Sequence, residues 1–351
     1  MSDFMDKAHV LLHSGKVSPE DAKLMELVFR ARSELDPLFA KAKIEVENIE
    51  SLYAAFEMAK LIGRLGRLSP EEVDKLEPAI RRLIFVTIDH CIQFPPTPQG
   101  YIDSPHPHKE FAKEIVLKLV EKQRNSVAIM TFNYDLCLEI AIARAGLRYD
   151  YCLNGQCPDG HIPLLKLHGS LNWLGSVGSD KPVIHSIDSF LKLHNAIQSP
   201  SPGSMNLVEH LPTWAKELKI EGPPDPIIVP PTRSKLQHHR QLAGVWREAA
   251  RHLSEAENIV VIGYSLPETD PFFRELYALG TAGASTIKRF LVYDPDTKGL
   301  ESRFRALIGP RVEPRFQYLS QLSQSRLIPK HIDAPMNFKF AIKDAALQLG
   351  I

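Results

Sequence analysis

The sequence predicts an α/β protein: a helical region over residues 1–125, a parallel sheet flanked by helices over 126–310, and a C-terminal extension, 311–351, packed on the sheet domain. Three observations predict it. Up to Asn125 apolar residues recur at helical spacing with no strand candidate. After it, short runs rich in β-branched residues alternate with helical stretches, the pattern of a sheet covered on both faces. The third is size: 351 residues, 44% hydrophobic and 24% charged, suffice for one large α/β domain or two smaller ones, each with its own core.

In chain order, Ser18-Pro19-Glu20-Asp21 and Ser69-Pro70-Glu71-Glu72 each set a capping hydroxyl before a proline at the first helical position, with carboxylates at the positive end of the helix dipole. Leu52, Ala55, Phe56, Ala59 and Leu61, and again Leu76, Ile80, Leu83, Ile84 and Thr87, read as core-facing stripes. Phe94 to Gly100 is a proline-rich loop, and a helix over about Lys109 to Lys122 follows. The strand runs are Val127 to Thr131, Pro163 to Leu167, Ile227 to Val229, Ile259 to Ile262 and Phe290 to Tyr293. Helices are expected at about 136–145, 236–253, 271–279 and 299–307, and Ser199 to Pro226, rich in Pro, Gly and Ser, reads as a surface excursion.

Composition narrows the function. Lys+Arg and Asp+Glu balance at 42 each, so nucleic acid is not indicated as a partner. Apolar runs such as Ile259 to Ile262 fall far short of the roughly 20 residues needed to span a bilayer, so no membrane is expected. Met1-Ser2-Asp3-Phe4 is no secretory start, and four cysteines make no disulfide framework; reduced thiols and a cytoplasmic location are the expectation.

Ligands of open α/β sheets bind beyond the carboxyl ends of strands, and here those positions are polar. They read Thr131-Phe132-Asn133-Tyr134-Asp135, His168-Gly169-Ser170-Leu171-Asn172, Gly263-Tyr264-Ser265-Leu266-Pro267 and Asp294-Pro295-Asp296. Each has a structural alternative: Asp135 can cap the next helix, His168 can serve a turn, and Ser265 can enter a helix. Four such ends together favour a site.

In this order, Thr131 to Asp135, Ala145-Gly146, Leu167 to Ser170 and Ile262 to Leu266 resemble the motifs of the NAD-using sirtuin (SIR2) superfamily. Pro230-Pro231-Thr232 with Lys235, and Gly263 to Pro267 before Asp270, are similar to elements of its bacterial SIR2-like members, and the likeness spans roughly Val127 to Pro310. It implies a Rossmann-like parallel sheet of the SIR2-like/DHS-like kind and NAD+ hydrolysis to ADP-ribose and nicotinamide, in antiphage (antiviral) defence. It further implies catalytic roles for Asn133, His168 and Asp135, and NAD-binding roles for Thr131, Gly263, Ser265 and Asp294. NAD+ would be substrate, and a homo-oligomer or a partner defence protein would accompany it. The alternatives are an NAD-dependent protein deacylase and a catalytically inactive NAD-binding or scaffold subunit.

Two departures accompany the resemblance. Sirtuin deacetylases hold a structural zinc with paired Cys-x-x-Cys motifs, whereas Cys91, Cys137, Cys152 and Cys157 lack that spacing, so no zinc or other metal is expected. Family members also begin with a strand and a Gly-Ala-Gly-x-Ser turn that cradles pyrophosphate. Gly63-Arg64-Leu65-Gly66 is the nearest glycine pair and has no strand before it. The expectation is a chain that starts late, with a phosphate grip supplied from elsewhere as the alternative. Gly263 to Pro267 is also similar to a serine-hydrolase elbow, but with Pro267 where that motif needs glycine. His106-Pro107-His108 and the His238, His239, Arg240 helix face read as solvated surfaces.

Overall fold

The computed structural model describes residues 3–36, 44–122, 127–175, 182–197, 201–220, 226–229, 236–267, 271–283, 285–296, 299–327 and 334–351. Its helices and strands run α1 (Phe4–Leu12), α2 (Pro19–Glu34), α3 (Ile49–Ile62), α4 (Pro70–Asp74), α5 (Leu76–Cys91), α6 (His106–Phe111), a π-helical stretch (Ala112–Leu117), α7 (Lys118–Glu121), β1 (Ile129–Thr131), α8 (Cys137–Arg144), β2 (Tyr149–Asp150), β3 (Ile162–Lys166), β4 (Gly169–Leu174) and β5 (Val183–Ile184). There follow α9 (Ile187–Ile197), α10 (Leu207–Glu217), β6 (Pro226–Ile228), α11 (Leu236–Glu255), β7 (Asn258–Ile262), α12 (Pro271–Gly280), β8 (Arg289–Tyr293), α13 (Leu300–Arg305), β9 (Phe316–Leu319) and α14 (Phe338–Leu349). The protein is mixed α/β with small parallel sheets. No described helix is long and apolar enough to cross a membrane.

The chain forms two compact units. The first comprises Met1–Asp103, Phe132–Leu136 and His168–Leu242; the second comprises Ser104–Thr131, Cys137–Leu167 and Ala243–Ile351.

In the first unit α1, α2 and α3 pack around α5, whose Leu76, Ile80, Leu83, Ile84 and Thr87 are all buried, as the stripe predicts. The capping signals also hold: Ser18 Oγ accepts the Asp21 N–H, and Ser69 and Glu72 form a reciprocal capping box. Leu61 departs from expectation at 80% exposed. It lies five residues beyond Phe56, off the stripe that buries Leu52, Phe56 and Ala59. The unit's sheet has the order β5-β4-β6 and is antiparallel. The 227–229 run therefore pairs antiparallel, because β4, read as a polar rim, is itself a fully buried strand. The expected surface excursion contains α10, which buries Leu207, Leu211, Trp214 and Ala215 on one face and packs on α5 and β4.

The second unit holds two parallel sheets, β1-β3-β2 and β7-β8-β9. Four of the five predicted runs coincide with β1, β3, β7 and β8 to within two residues at each end. The Lys109–Lys122 helix is realised as α6, the π-helical stretch and α7 in succession. In β3 the fully buried Lys166 donates from Nζ to Glu139 Oε1 at 2.7 Å, and the Tyr151 hydroxyl donates to the same oxygen at 3.0 Å. The C-terminal stretch contributes β9 beside β8, and α14 against β7 and the π-helical stretch. Ile342, Ala345 and Ala346 of α14 join Leu291, Tyr293 and Leu319 in one core cluster. Beneath it the buried Asp344 carboxylate accepts from the hydroxyls of Tyr293 and Ser325, each at 2.9 Å, and from the Arg326 N–H at 2.7 Å.

Candidate active site

The residues assigned to catalysis fall in the first unit, on a five-residue segment and at the head of β4. The segment Phe132–Leu136 is stitched in place by its backbone: the Tyr134 carbonyl accepts the Leu171 N–H at 3.0 Å and the Ser170 hydroxyl at 3.4 Å. The Tyr134 hydroxyl donates to the Val229 carbonyl at 3.2 Å, and the Val229 N–H donates to the His168 carbonyl at 2.9 Å. Three stretches of chain thereby hold one another in register.

His168 sits inside this stitching, only 4% exposed. Its ring meets Phe132 edge-on at 5.1 Å and Tyr134 at 6.3 Å between centroids. The residues between and beyond those two rings are Asn133, exposed, and Asp135, half-buried. The structure thus brings the imidazole against the very segment that carries both other candidates. Gly169 explains the dipeptide that follows from physics: its φ is +90°, and a Cβ there would overlap the Ile227 carbonyl. Behind the histidine, the buried Ser170 hydroxyl donates to Asn172 Oδ1 at 2.8 Å, and Asn172 Nδ2 donates to the His185 carbonyl at 2.8 Å. Both therefore have structural work on β4.

A small hollow opens beside Asp135, lined by Leu136, Leu171, Phe94 and Leu207 and by a second carboxylate, Asp89. Burial pushes the Asp89 carboxyl above the usual range, although Oδ2 accepts the Val208 N–H at 3.0 Å at the start of α10. Asp89 was not anticipated as a pocket residue. Its signal was an acid directly after the run Leu83 to Ile88, most of it apolar and buried.

The residues assigned to NAD binding fall in the second unit. Thr131 ends β1, its carbonyl accepting the Leu167 N–H at 3.0 Å. Gly263 and Asp294 stand directly after β7 and β8, adjacent parallel strands, and the Gly263 N–H donates to the Tyr293 carbonyl at 3.1 Å. Gly263, Ser265 and Asp294 therefore share the carboxyl edge of one sheet, where open α/β sheets take ligands. The backbone turns sharply there, with φ +68° at Gly263 and +46° at the buried, non-glycine Leu266. Ser265 is exposed, and its carbonyl accepts from Arg303 Nη1 at 3.5 Å. Arg303 carried no sequence signal. Burial raises the Asp294 carboxyl and the charge of Asp296 adds to this, against a bond from the Asp296 N–H to Asp294 Oδ1 at 2.9 Å. Pro230–Thr232, Lys235 and Asp270, and the side chains of His238, His239 and Arg240, lie outside the described residues.

No protein-family model matches this chain, and no curated protein matches it closely enough to be a relative.

Proposed function

We propose that the chain is a SIR2-like NAD+ hydrolase that splits NAD+ into nicotinamide and ADP-ribose, in a defence role suggested by the resemblance alone. The observation that carries this reading is the imidazole of His168 held between Phe132 and Tyr134, on the segment that bears Asn133 and Asp135.

Loss of nicotinamide leaves an oxocarbenium-like ribose, and catalysis rests on groups that meet this species better than the ground state. The Asn133 amide is assigned to the attacking water and a ribose hydroxyl. His168 is assigned as base, a task suited to an imidazole near neutral pH, and its restricted ring can hold one orientation. Asp135 orients its neighbours on the segment. In the second unit, Thr131, Gly263, Ser265 and Asp294 are assigned to phosphate and ribose groups. The residues hold no metal role in this reading.

Nicotinamide release from NAD+ without any peptide tests the proposal. Asn133→Ala and His168→Ala are each expected to lower turnover by about 10²-fold or more, with the circular dichroism spectrum unchanged. Equal turnover in wild type and both variants would sink the assignment. Release only with an acyl-lysine peptide would identify a deacylase instead, and NAD+ binding with no release would identify an inactive binding subunit.

A further inference from the structure

Helix α1 of the first unit ends in two exposed histidines one turn apart, His9 in its last turn and His13 as its C-cap. Residues four apart share one face of a helix, so the two side chains are neighbours. Met5, Ala8 and Leu11 of α1 are buried, which fixes how the helix lies and leaves the histidine face to solvent. The imidazole centroids stand 4.5 Å apart, with the ring planes at 46°. Each ring is also held by its surroundings. His13 Nδ1 donates to the His9 carbonyl at 2.9 Å, so in the neutral ring this nitrogen carries the proton and Nε2 keeps its lone pair. His9 meets Phe29 of α2 edge-on, with centroids 5.3 Å apart and planes at 83°.

We propose that His9 and His13 form a binding site for one divalent transition-metal ion of the imidazole-preferring class, Cu2+ or Ni2+. Two histidines at this spacing on one helix face are a recurring metal-binding arrangement. With metal–nitrogen bonds of about 2.0–2.1 Å, two imidazoles at right angles on one ion have centroids roughly 4.5 Å apart, against roughly 5 Å at a tetrahedral angle. The observed spacing therefore matches the square-planar or tetragonal positions that Cu2+ and Ni2+ favour. A ring N–H given to a backbone carbonyl, as at His13, is the usual outer support of a metal-binding histidine, fixing its tautomer and raising its basicity. Among the described residues no third protein ligand is in place beside the pair, so water completes the coordination. The cysteine spacing speaks against a Cys-x-x-Cys zinc site; it does not bear on imidazoles one helical turn apart. An ion held by both rings ties the last turn of α1 to its C-cap, and binding to the folded helix alone stabilises it by mass action.

The site stands apart from NAD+ hydrolysis, and its test needs no activity. The untagged full chain is dialysed to saturation against Ni2+, and its bound metal and the amide exchange of Phe4–Leu12 are measured. Wild type is expected to hold one equivalent more than either His9→Asn or His13→Asn, and Ni2+ should slow exchange in α1 of the wild type alone. Both positions are exposed, so the variants should keep the wild-type circular dichroism spectrum. His106→Asn, which removes an exposed histidine beside Glu110, should retain the equivalent. Mg2+, which prefers oxygen ligands, should leave α1 exchange unchanged. Equal Ni2+ uptake by wild type and both variants overturns the proposal, as does loss of the same equivalent in His106→Asn or slowing of α1 exchange by Mg2+ as much as by Ni2+.

Discussion

Two buried charges make opposite demands on their surroundings. Lys166 and Glu139 are both about 1% exposed and answer one another directly, with Tyr151 completing the acceptor. Lys166→Met strands the carboxylate in the core and should cost roughly 3–5 kcal/mol, whereas adding Glu139→Leu should restore much of the loss. Urea denaturation of the single and double variants measures this, and additive losses would refute the pairing. Burial raises the Asp89 carboxyl, and the α10 amides only partly offset this. A carboxyl raised in the fold adds stability that is complete below its ordinary value of 3.8 and is lost as pH rises through the folded value. Asp89→Asn removes that dependence while keeping an acceptor for Val208. Relative to the variant, wild type should therefore lose stability as pH rises above about 3.8, and parallel stability curves would disprove it.

At the scale of elements, α14 is fastened by a single carboxylate. Asp344→Ala leaves the buried hydroxyls of Tyr293 and Ser325 and the Arg326 amide without their acceptor, at about 1–3 kcal/mol for each group left unsatisfied. The loss should appear as faster amide exchange throughout Phe338–Leu349, and unchanged protection there would contradict it. What the sequence made legible follows the same physics. Helices with a capping hydroxyl and a regular stripe, such as α2 and α5, were readable, as were the β-branched runs of β1, β3, β7 and β8. The Gly169–Leu174 strand was not, because Ser170 and Asn172 look like rim residues and are buried only through hydrogen bonds to partners distant in sequence. Helix α10 was hidden by Pro212 within it and by proline-rich flanks, although Leu207, Leu211, Trp214 and Ala215 repeat at helical spacing. For the site, the motif residues were legible; the ring contacts at His168 and the Asp89 pocket depend on chain crossings that no local pattern encodes.

The two units interleave along the chain, which passes between them at 103/104, 131/132, 136/137, 167/168 and 242/243. Residues 311–351 supply β9 and α14 to the second. Removal of that stretch would uncover an edge of β8 and the apolar side chains of Leu291 and Tyr293, so the chain ending at 310 is expected to bind a hydrophobic dye and lose its cooperative melt. A shortened chain that melts as the full one does would show that the extension is dispensable. The interleaving also sets an order of events on the ribosome. Leu242, the last residue of the first unit, is made while 243–351 are still untranslated, which at roughly 5–20 residues per second leaves several seconds. During that time β1, β2 and β3 have emerged without the later helices and strands of their own unit. The nascent chain thus carries the β1-β3-β2 sheet while the later apolar surfaces of its unit are still unmade, the condition under which holdase chaperones find their clients.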